Sequence, residues 1–391
     1  MTALRTNLFA VALALSLLGN VMIYSATSKE YGMHYLLVRF AHLGLGVVAF
    51  LVAKQVRYTA WRKIAPSLYL VVLVSLVLVL IPSVGIEVGG ARRWFDLGPV
   101  SLQPAEFAKL AAILLLSCAV ARLRLGSPIP LWSILAVGLL FGLVLVEPDF
   151  GTSVVIAAGA AGVLWASELR TRDLLLYGGA ALAVLCGAMI LEPYRRDRFL
   201  TFLDPWSVSD GSGYQIVQSM VAIRAGSFFG AGAGAGEGGV SIPEVQTDMI
   251  FALIGEELGF LGMVLVIGAF GFLALAGYKI ALSAPSVMAR CLAAGLATMF
   301  AVQTTFNIGA AMSIVPLAGM TLPFVSYGGS SVMVCFAAIG ILYRISEDGE
   351  KVSEVRPRKK TSTKSDARSP ARLDRRRRDG GTRDPRALRG G

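Results

Sequence analysis

A single aspartate stands where a long polar loop turns into an apolar run. Asp248 lies in Pro-Glu-Val-Gln-Thr-Asp-Met-Ile-Phe at residues 243–251. A positioned carboxylate can accept the proton of a hydroxyl nucleophile, so Asp248 is a candidate general base. An aspartate there can also cap the next helix. Glu256 is a further candidate for substrate binding, and on a continuous helix it would lie about 80° around and about 12 Å along from Asp248. Spacing alone leaves capping and catalysis open.

Two opposite charges, Glu106 and Lys109, sit three residues apart inside an apolar stretch. That spacing places them on one helix face within pairing reach. An ionisable side chain inside a bilayer costs roughly 2.5–3.5 kcal/mol, so each needs a reason to be there. The pair can position its helix, or it can form the charged wall of an internal cavity.

Arginines form a second group of candidate ligands. Guanidinium groups bind phosphate oxygens in a bidentate manner, which would suit a lipid pyrophosphate. Arginine beside tryptophan is also typical of an interface anchor, as at Trp94. The candidates precede the Glu106 helix or lie in the later long loop, and the sequence does not choose among them: Arg92, Arg93, Arg195, Arg196 and Arg198.

Two further segments carry polar groups between apolar runs. Asp149 is flanked by Pro148 and Gly151, which favours a turn-forming role over a chemical one. Thr-Leu-Pro-Phe-Val-Ser-Tyr-Gly-Gly-Ser-Ser at 321–331 predicts a broken or re-entrant segment. Such backbone is tolerated where it is buried in protein or lines a wet cavity. Ser326 and Ser330 are therefore candidate cavity residues.

The elements that position these residues are membrane helices. Hydrophobic residues make up 55% of the chain and charged residues only 16%, against roughly 25% charged in soluble proteins. The apolar runs are long enough to cross a bilayer. The sequence thus predicts an all-α polytopic membrane protein with about ten helices, near residues 7–27, 35–53, 66–85, 104–121, 129–146, 150–167, 174–191, 248–277, 287–311 and 325–345.

Lysine and arginine in the short loops indicate that both termini are cytoplasmic. The long loop 192–247 between the seventh and eighth helices then faces outward. Within it, residues 214–224 fit an amphipathic helix, which could lie in the membrane interface or cap the bundle. The glycine-rich stretch 230–236 lacks a nucleotide-binding motif and predicts a flexible loop.

The transmembrane domain is predicted to span residues 1–345 and a basic, disordered cytoplasmic tail residues 346–391. Of the chain's formal net charge of +11, much comes from this tail. A tail near anionic lipid explains the charge better than nucleic-acid binding. With only two histidines, and four cysteines that form no C-x-x-C pair, a histidine- or cysteine-ligated metal centre is not expected.

Several motifs, in order, resemble the SEDS family (shape, elongation, division and sporulation), which includes FtsW and RodA. The resemblance covers roughly residues 7–345. The motifs lie at 90–99, 103–109, 147–152, 213–215, 243–252, 255–259, 307–309 and 322–331.

The resemblance implies a peptidoglycan glycosyltransferase that polymerises lipid II into glycan strands at the outer face of the cytoplasmic membrane. It places the family's essential aspartate at Asp248, while Gln246 and Met249 replace the usual histidine and phenylalanine. It also supports Glu106 and Lys109 as cavity residues. The arginines or a divalent cation, Mg²⁺ or Mn²⁺, could neutralise the pyrophosphate, and no organic cofactor is implied.

Within the family, residues 191–199 and 202–206 resemble FtsW more than RodA. Glu147-Pro-Asp in place of Gln-Pro-Asp favours the same division or sporulation type.

The implied partners are lipid II (the undecaprenyl-pyrophosphate-linked disaccharide peptide), a class B penicillin-binding protein transpeptidase and other divisome membrane proteins, with no nucleic acid. The implied location is the bacterial cytoplasmic membrane, at the division septum. A RodA-type elongation polymerase, a lipid II flippase without chemistry and a scaffold for the transpeptidase are the alternatives.

Overall fold

Each predicted apolar run forms a helix in the structure. The computed structural model describes residues 1–355 apart from 89, 97, 99, 100, 125, 169 and 237–241. The fold is that of an all-α polytopic membrane protein. The helices that match the apolar runs are α1 (Thr2–Tyr31), α2 (His34–Gln55), α3 (Trp61–Val79), α4 (Pro104–Val120), α5 (Leu131–Val146), α6 (Phe150–Ala166), α7 (Thr171–Leu191), α10 (Ile250–Leu282), α11 (Val287–Ala311) and α12 (Gly329–Val355).

Seven of the described helices are long and apolar enough to cross a membrane. The other three, α4, α5 and α6, have 16 or 17 residues, about 25 Å at 1.5 Å per residue. Helix α4 is buried along nearly its whole length. Helix α11 packs most extensively against α6 and α10. The centre of the bundle therefore lies around α4, α6 and α11, which hold the polar residues discussed below.

The N-terminal end of α1 and the C-terminal part of α12 lie at the same end of the bundle. An ion pair of 2.6 Å joins Arg5 Nη1 to Glu350 Oε2. This agrees with an even number of membrane crossings. Helix α12 runs to Val355, ten residues past the predicted domain boundary at 345. Ion pairs between side chains three and four residues apart support the helix beyond the apolar run. The rest of the predicted tail, 356–391, lies outside the described residues.

A small antiparallel sheet, which the sequence analysis missed, connects α3 to α4. It consists of β1 (Ile86–Val88), β2 (Ala91–Asp96) and β3 (Ser101–Leu102) in the order β1-β2-β3. Trp94 lies opposite Ile86, and Phe95 lies opposite Leu102. The sheet carries Arg92 and Arg93 and leads directly into the start of α4.

The outer loop contains two helices, α8 (Pro193–Leu203) and α9 (Tyr214–Ala225). Helix α9 is the predicted amphipathic helix. It packs on α10, with Ile216 and Val217 buried, and the Ser219 hydroxyl donates to the Ala311 carbonyl at 2.6 Å. Val221, predicted on the apolar half, is 47% exposed. Of the two alternatives for this helix, the structure favours a cap on the bundle.

Helix α10 is broken at Gly259, whose φ of 67° and ψ of −165° are not helical. The glycine-rich loop packs across this break and is not the free loop that the sequence predicted. Backbone groups that lose their helical partners at a break need others. The loop supplies them through four hydrogen bonds, Ala231 N to Glu256 O, Gly232 N to Glu257 O, Phe260 N to Ser227 O, and Leu261 N to Phe228 O.

Candidate functional site

Asp248 lies on a segment whose backbone is held at three successive carbonyl groups. The Tyr327 amide donates to Gln246 O at 2.8 Å, and the Ser326 hydroxyl donates to Thr247 O at 2.6 Å. The Asn307 side-chain amide donates to Asp248 O at 3.0 Å. These donors come from α11 and from the segment before α12. They fix the aspartate independently of its carboxylate.

The carboxylate of Asp248 is not a helix cap. Helix α10 begins at Ile250 with Met249 as its N-cap, and no side chain makes a capping hydrogen bond there. The carboxylate instead converges with Arg198 over Gly319. A Cβ placed on Gly319 would lie 3.7 Å from Asp248 Oδ2 and 3.9 Å from Arg198 Nη1. Of the two roles that spacing left open, capping is therefore excluded by the geometry.

The environment of Asp248 makes its carboxylate a better proton acceptor. Burial raises its pKa to about 6, and the negative charges of Asp149 and Glu244 act in the same direction. Arg198, and more weakly Arg93, lower the pKa and so oppose the rise. A carboxyl group with a pKa near 6 is mostly ionised at pH 7, yet it is more basic than an ordinary aspartate. Both properties suit a general base.

Apart from Arg198, the candidate arginines make their contacts elsewhere. Arg93 donates to Glu147 O at 2.8 Å and to Pro148 O at 2.7 Å. Arg195 donates to Leu145 O at 2.9 Å and to Ala188 O at 3.2 Å.

Arg93 and Arg195 thus donate to carbonyl groups at the C-terminal end of α5, where cations are favoured. Arg92 pairs with Glu87 at 3.0 Å within the sheet. Arg196 is exposed. Arg198 stacks 4.8 Å from the Tyr194 ring centre and is the arginine that the structure brings to Asp248.

Glu106 and Lys109 form the predicted pair, with Oε2 and Nζ 2.8 Å apart. Only 4% of Glu106 and 1% of Lys109 is exposed. Lys109 Nζ also donates to Gln303 Oε1 at 2.9 Å, and Gln303 Nε2 donates to Thr321 O at 2.9 Å. The pair therefore supports the re-entrant segment through Gln303.

The same pair lines a cavity of about 20 Å³, room for roughly one water molecule. Asp149 lines it as well. Its Oδ1 accepts from the Thr152 amide at 3.0 Å as the N-cap of α6, and its Oδ2 accepts from Gln103 Nε2 at 3.0 Å. Gly319 lies on the wall of this cavity and next to Asp248. The ion pair thus supports the neighbouring backbone and lines this small cavity, while a substrate contact for Glu106 or Lys109 remains a prediction. Asp149 caps α6 and so has a structural role in the turn between α5 and α6.

The two candidate serines are engaged within the protein. Besides holding Thr247, the Ser326 hydroxyl accepts from the Leu322 amide at 2.8 Å. The Ser330 hydroxyl accepts from the Gln103 amide at 2.9 Å. Glu256 faces the glycine-rich loop, because a Cβ on Gly236 would lie 2.9 Å from its Oε2. A direct substrate contact for any of these three remains a prediction.

Sequence reasoning missed one residue that supports the site. Arg39 of α2 is fully buried and donates from Nη2 to the Phe324 carbonyl, which also accepts from the Ser16 hydroxyl at 3.1 Å. The signal was present, because an arginine inside an apolar run is costly and needs a function. Arg39 thus holds the segment at Phe324, whereas Asn307 donates to the Met320 carbonyl at 2.6 Å.

The described residues do not form a ready-made ligand set for the predicted divalent cation. Within the described ranges, no group of three or more His, Cys, Asp or Glu side chains could hold a metal ion. Asp248 and Asp149 could supply carboxylate oxygens, but Mg²⁺ commonly takes its other ligands from substrate phosphates and water. The metal stays a prediction.

Glu147 is the most unusual carboxyl group near the site. It is fully buried, and neither of its side-chain oxygens has a hydrogen-bond partner among the residues that the structure describes. Burial raises its pKa to about 9, and the charge of Asp149 adds to the rise, whereas Arg93 opposes it. Glu147 is therefore neutral at pH 7 and equivalent in shape and charge to glutamine.

We expect Glu147→Gln to change the pH dependence of stability. The wild-type folded state keeps a proton on Glu147 up to a pKa of about 9, whereas the unfolded chain releases it near pH 4.3. Wild-type stability should therefore fall relative to the variant, by about 1.4 kcal/mol per pH unit between these values. Melting temperatures in detergent at pH 5, 7 and 9 measure this. The exposed Asp210→Asn is the control, and equal slopes for wild type and Glu147→Gln would contradict the assignment.

Comparisons with known proteins agree with this geometry. A family model described as "Cell cycle protein", covering FtsW, RodA and SpoVE, matches residues 5–351. A probable peptidoglycan glycosyltransferase FtsW of Trichlorobacter lovleyi is 38% identical over 87% of this chain and 92% of its own length. Stage V sporulation protein E of Bacillus subtilis is 34% identical over 88% of this chain and 99% of its own length.

Solved structures share the fold. A chain of a peptidoglycan synthase complex, studied for the coordination of polymerization and crosslinking, superposes with a TM-score of 0.73 at 33% identity. The match covers 87% of this chain and 97% of that one. The rod shape determining protein RodA of Thermus thermophilus has a TM-score of 0.64 at 28% identity, over 87% of this chain and 96% of its own. The likeness thus extends over nearly the whole membrane domain.

Proposed function

The chain belongs to the cell cycle protein family of FtsW, RodA and SpoVE, and from this premise we propose that it polymerises lipid II into glycan strands, with Asp248 as general base. The relatives named as peptidoglycan glycosyltransferases support the reaction type. The observation that carries the assignment is the placement of Asp248, fixed through three backbone carbonyls and facing Arg198. A carboxylate that only shaped the loop would need no such surroundings.

In the proposed reaction, the 4-hydroxyl oxygen of one lipid-linked disaccharide attacks the anomeric carbon of the growing chain. A new carbon–oxygen bond forms as the bond from that carbon to the pyrophosphate breaks. Asp248 takes the hydroxyl proton during attack, which is worth about 10²–10⁴ in rate. The polyprenyl pyrophosphate leaves with the bonding electron pair.

The leaving pyrophosphate needs positive charge nearby. Arg198 is the candidate, because it faces Asp248 across Gly319 and its one carbonyl contact, to Leu317 O, is long at 3.5 Å. Arg93 and Arg195 donate to carbonyl groups at the end of α5 at 2.8 and 2.9 Å. A divalent cation held by the substrate's own phosphates would add charge there, with Asp149 or Asp248 as a protein ligand. Arg198 would then both bind the leaving group and keep Asp248 ionised.

The relatives also support a proposal for the cellular setting. The chain is a multi-pass membrane protein, and we place it in the bacterial cytoplasmic membrane with the Asp248 end outward. Several similar curated relatives are named FtsW, which favours action in cell division at the septum. One solved relative belongs to a synthase complex that polymerises and crosslinks. A class B penicillin-binding protein is therefore the proposed partner, together with other divisome membrane proteins.

The decisive experiment is a polymerisation assay. The purified full-length chain is incubated with lipid II in detergent, alone and with its co-expressed class B penicillin-binding protein, and the products are separated on a gel. We expect long glycan strands. Unreacted lipid II in both reactions, together with transfer of lipid II across vesicles by the same protein, would indicate the flippase. Inactivity in both assays would favour the remaining alternative, a scaffold for the transpeptidase.

Arg198→Gln should move the pH dependence of this reaction. Arg198 lowers the pKa of Asp248, so its removal should raise that pKa. Activity is lost as the base becomes protonated, so the acid limb of the rate profile should move to higher pH. The rate at limiting lipid II should fall by about 10–100-fold at pH 7, the loss expected for a charged hydrogen bond.

The neighbouring Arg196→Gln removes the same charge from an exposed position of the same helix. It should leave both the acid limb and the rate nearly unchanged. If the two variants behave alike, Arg198 acts only through the general charge of the outer loop.

A further inference from the structure

A second cavity lies at the other end of α3 from the sheet and the Asp248 site. Its volume is about 660 Å³, and its lining residues are Thr59, Ala60, Arg62, Lys63 and Arg122. Ligand pockets typically measure about 300–1,000 Å³. The cavity is formed where α3 begins and α4 ends, because Arg62 and Lys63 are in the first turn of α3 and Arg122 lies two residues after the end of α4.

The positive charges of this cavity form no ion pair with an acidic residue that the structure describes. Arg62, Lys63 and Arg122 are exposed. The first turn of α3 has no acidic residue. The N-terminal end of a helix carries partial positive charge and disfavours cations. An anion bound in the cavity would remove this repulsion.

We propose that the cavity binds the phosphate-bearing headgroup of an anionic lipid. The two guanidinium groups suit phosphate oxygens, and Thr59 adds a hydroxyl donor. The surface of α3 beyond the cavity is apolar and open, with Ile64 37%, Leu70 59% and Val71 63% exposed. A free phosphate would not need this surface, whereas lipid acyl chains would lie along it with the headgroup in the cavity.

Two matched double variants test the site in the full-length chain. Arg62→Gln/Arg122→Gln removes both guanidinium groups that line the cavity. Arg57→Gln/Arg124→Gln removes equal charge from the same two loops, at exposed residues that do not line it. Binding of a fluorescent phosphatidylglycerol analogue is measured in uncharged micelles, with inorganic phosphate as competitor. The basic tail is present in every variant and contributes an equal background.

We expect at least tenfold weaker phosphatidylglycerol binding for Arg62→Gln/Arg122→Gln and unchanged binding for Arg57→Gln/Arg124→Gln. Competition by inorganic phosphate would show that the cavity recognises the phosphate group alone. A lack of competition, with the same difference between variants, would show that the acyl chains contribute. Equal weakening in both variants, or in neither, would overturn the proposal, because diffuse loop charge would then explain any binding. Unchanged lipid II polymerisation in all variants confirms that they are folded.

Discussion

Replacing Asp248 with asparagine is expected to lower the rate of lipid II polymerisation by about 10²–10⁴-fold, the usual contribution of a general base. Asparagine keeps the size of the side chain but cannot take up the hydroxyl proton at neutral pH. The segment itself should not move, because it is held through the carbonyl groups of Gln246, Thr247 and Asp248. The gel assay at saturating lipid II measures the effect.

The melting temperature separates loss of chemistry from loss of fold. Burial raises the pKa of Asp248 to about 6, so the carboxylate, although mostly ionised at pH 7, costs more free energy to ionise in the folded state than in the unfolded chain. Asparagine should therefore leave stability unchanged or slightly higher at this pH. Asp210→Asn, an exposed acid in the same outer loop, should keep full activity. Normal glycan synthesis by Asp248→Asn would refute the assignment of the base.

The position of the membrane helices could be predicted because a helix that crosses the bilayer needs a run of about 20 apolar residues. The apolar runs predicted at 35–53 and 287–311 correspond to the helices His34–Gln55 and Val287–Ala311. Helix α1 extends beyond its apolar run at both ends, since a helix can continue into polar surroundings without an apolar signal. Hydrophobicity thus locates a span well and its ends less well.

The outer structures were missed for a different reason. The sheet at residues 86–102 has strands of two to six residues, too short for a period of two to stand out. Helix α8 has 11 residues, with its arginines in the first half and most of its apolar residues in the second, so too few turns carry the helical period for it to stand out. The break at Gly259 looked like an ordinary glycine in a membrane helix, because its replacement hydrogen bonds come from a loop elsewhere in the chain.

The residue types at the site could be predicted, but their tasks could not. Asp248, Glu106 and Lys109 stood out because charge is costly in a membrane. Phosphate binding was equally plausible for all five arginines, and only their contacts distinguish Arg198 from Arg93 and Arg195. The support of Asp248 by Asn307 and Ser326 joins positions far apart in sequence. No local pattern contains such a contact.

Lys109→Met should be the most destabilising of the substitutions considered, at about 3–5 kcal/mol. Methionine fills the space of the lysine stem but leaves Glu106 buried without its partner. It also removes the hydrogen bond to Gln303, which holds the carbonyl of Thr321. The cost should appear as a clear fall in melting temperature in detergent, with less active protein recovered.

The double variant Glu106→Gln/Lys109→Met tests whether charge or packing causes the loss. If an unpaired buried charge is responsible, neutralising Glu106 should restore most of the stability, and the double-mutant cycle should show strong coupling. Lys351→Met breaks an ion pair whose lysine is 62% exposed, and it should cost at most about 0.5 kcal/mol. Polymerisation by the restored double variant then separates two roles. Normal activity would make the pair a support for the re-entrant segment, whereas a stable but inactive enzyme would make its charges part of the substrate cavity.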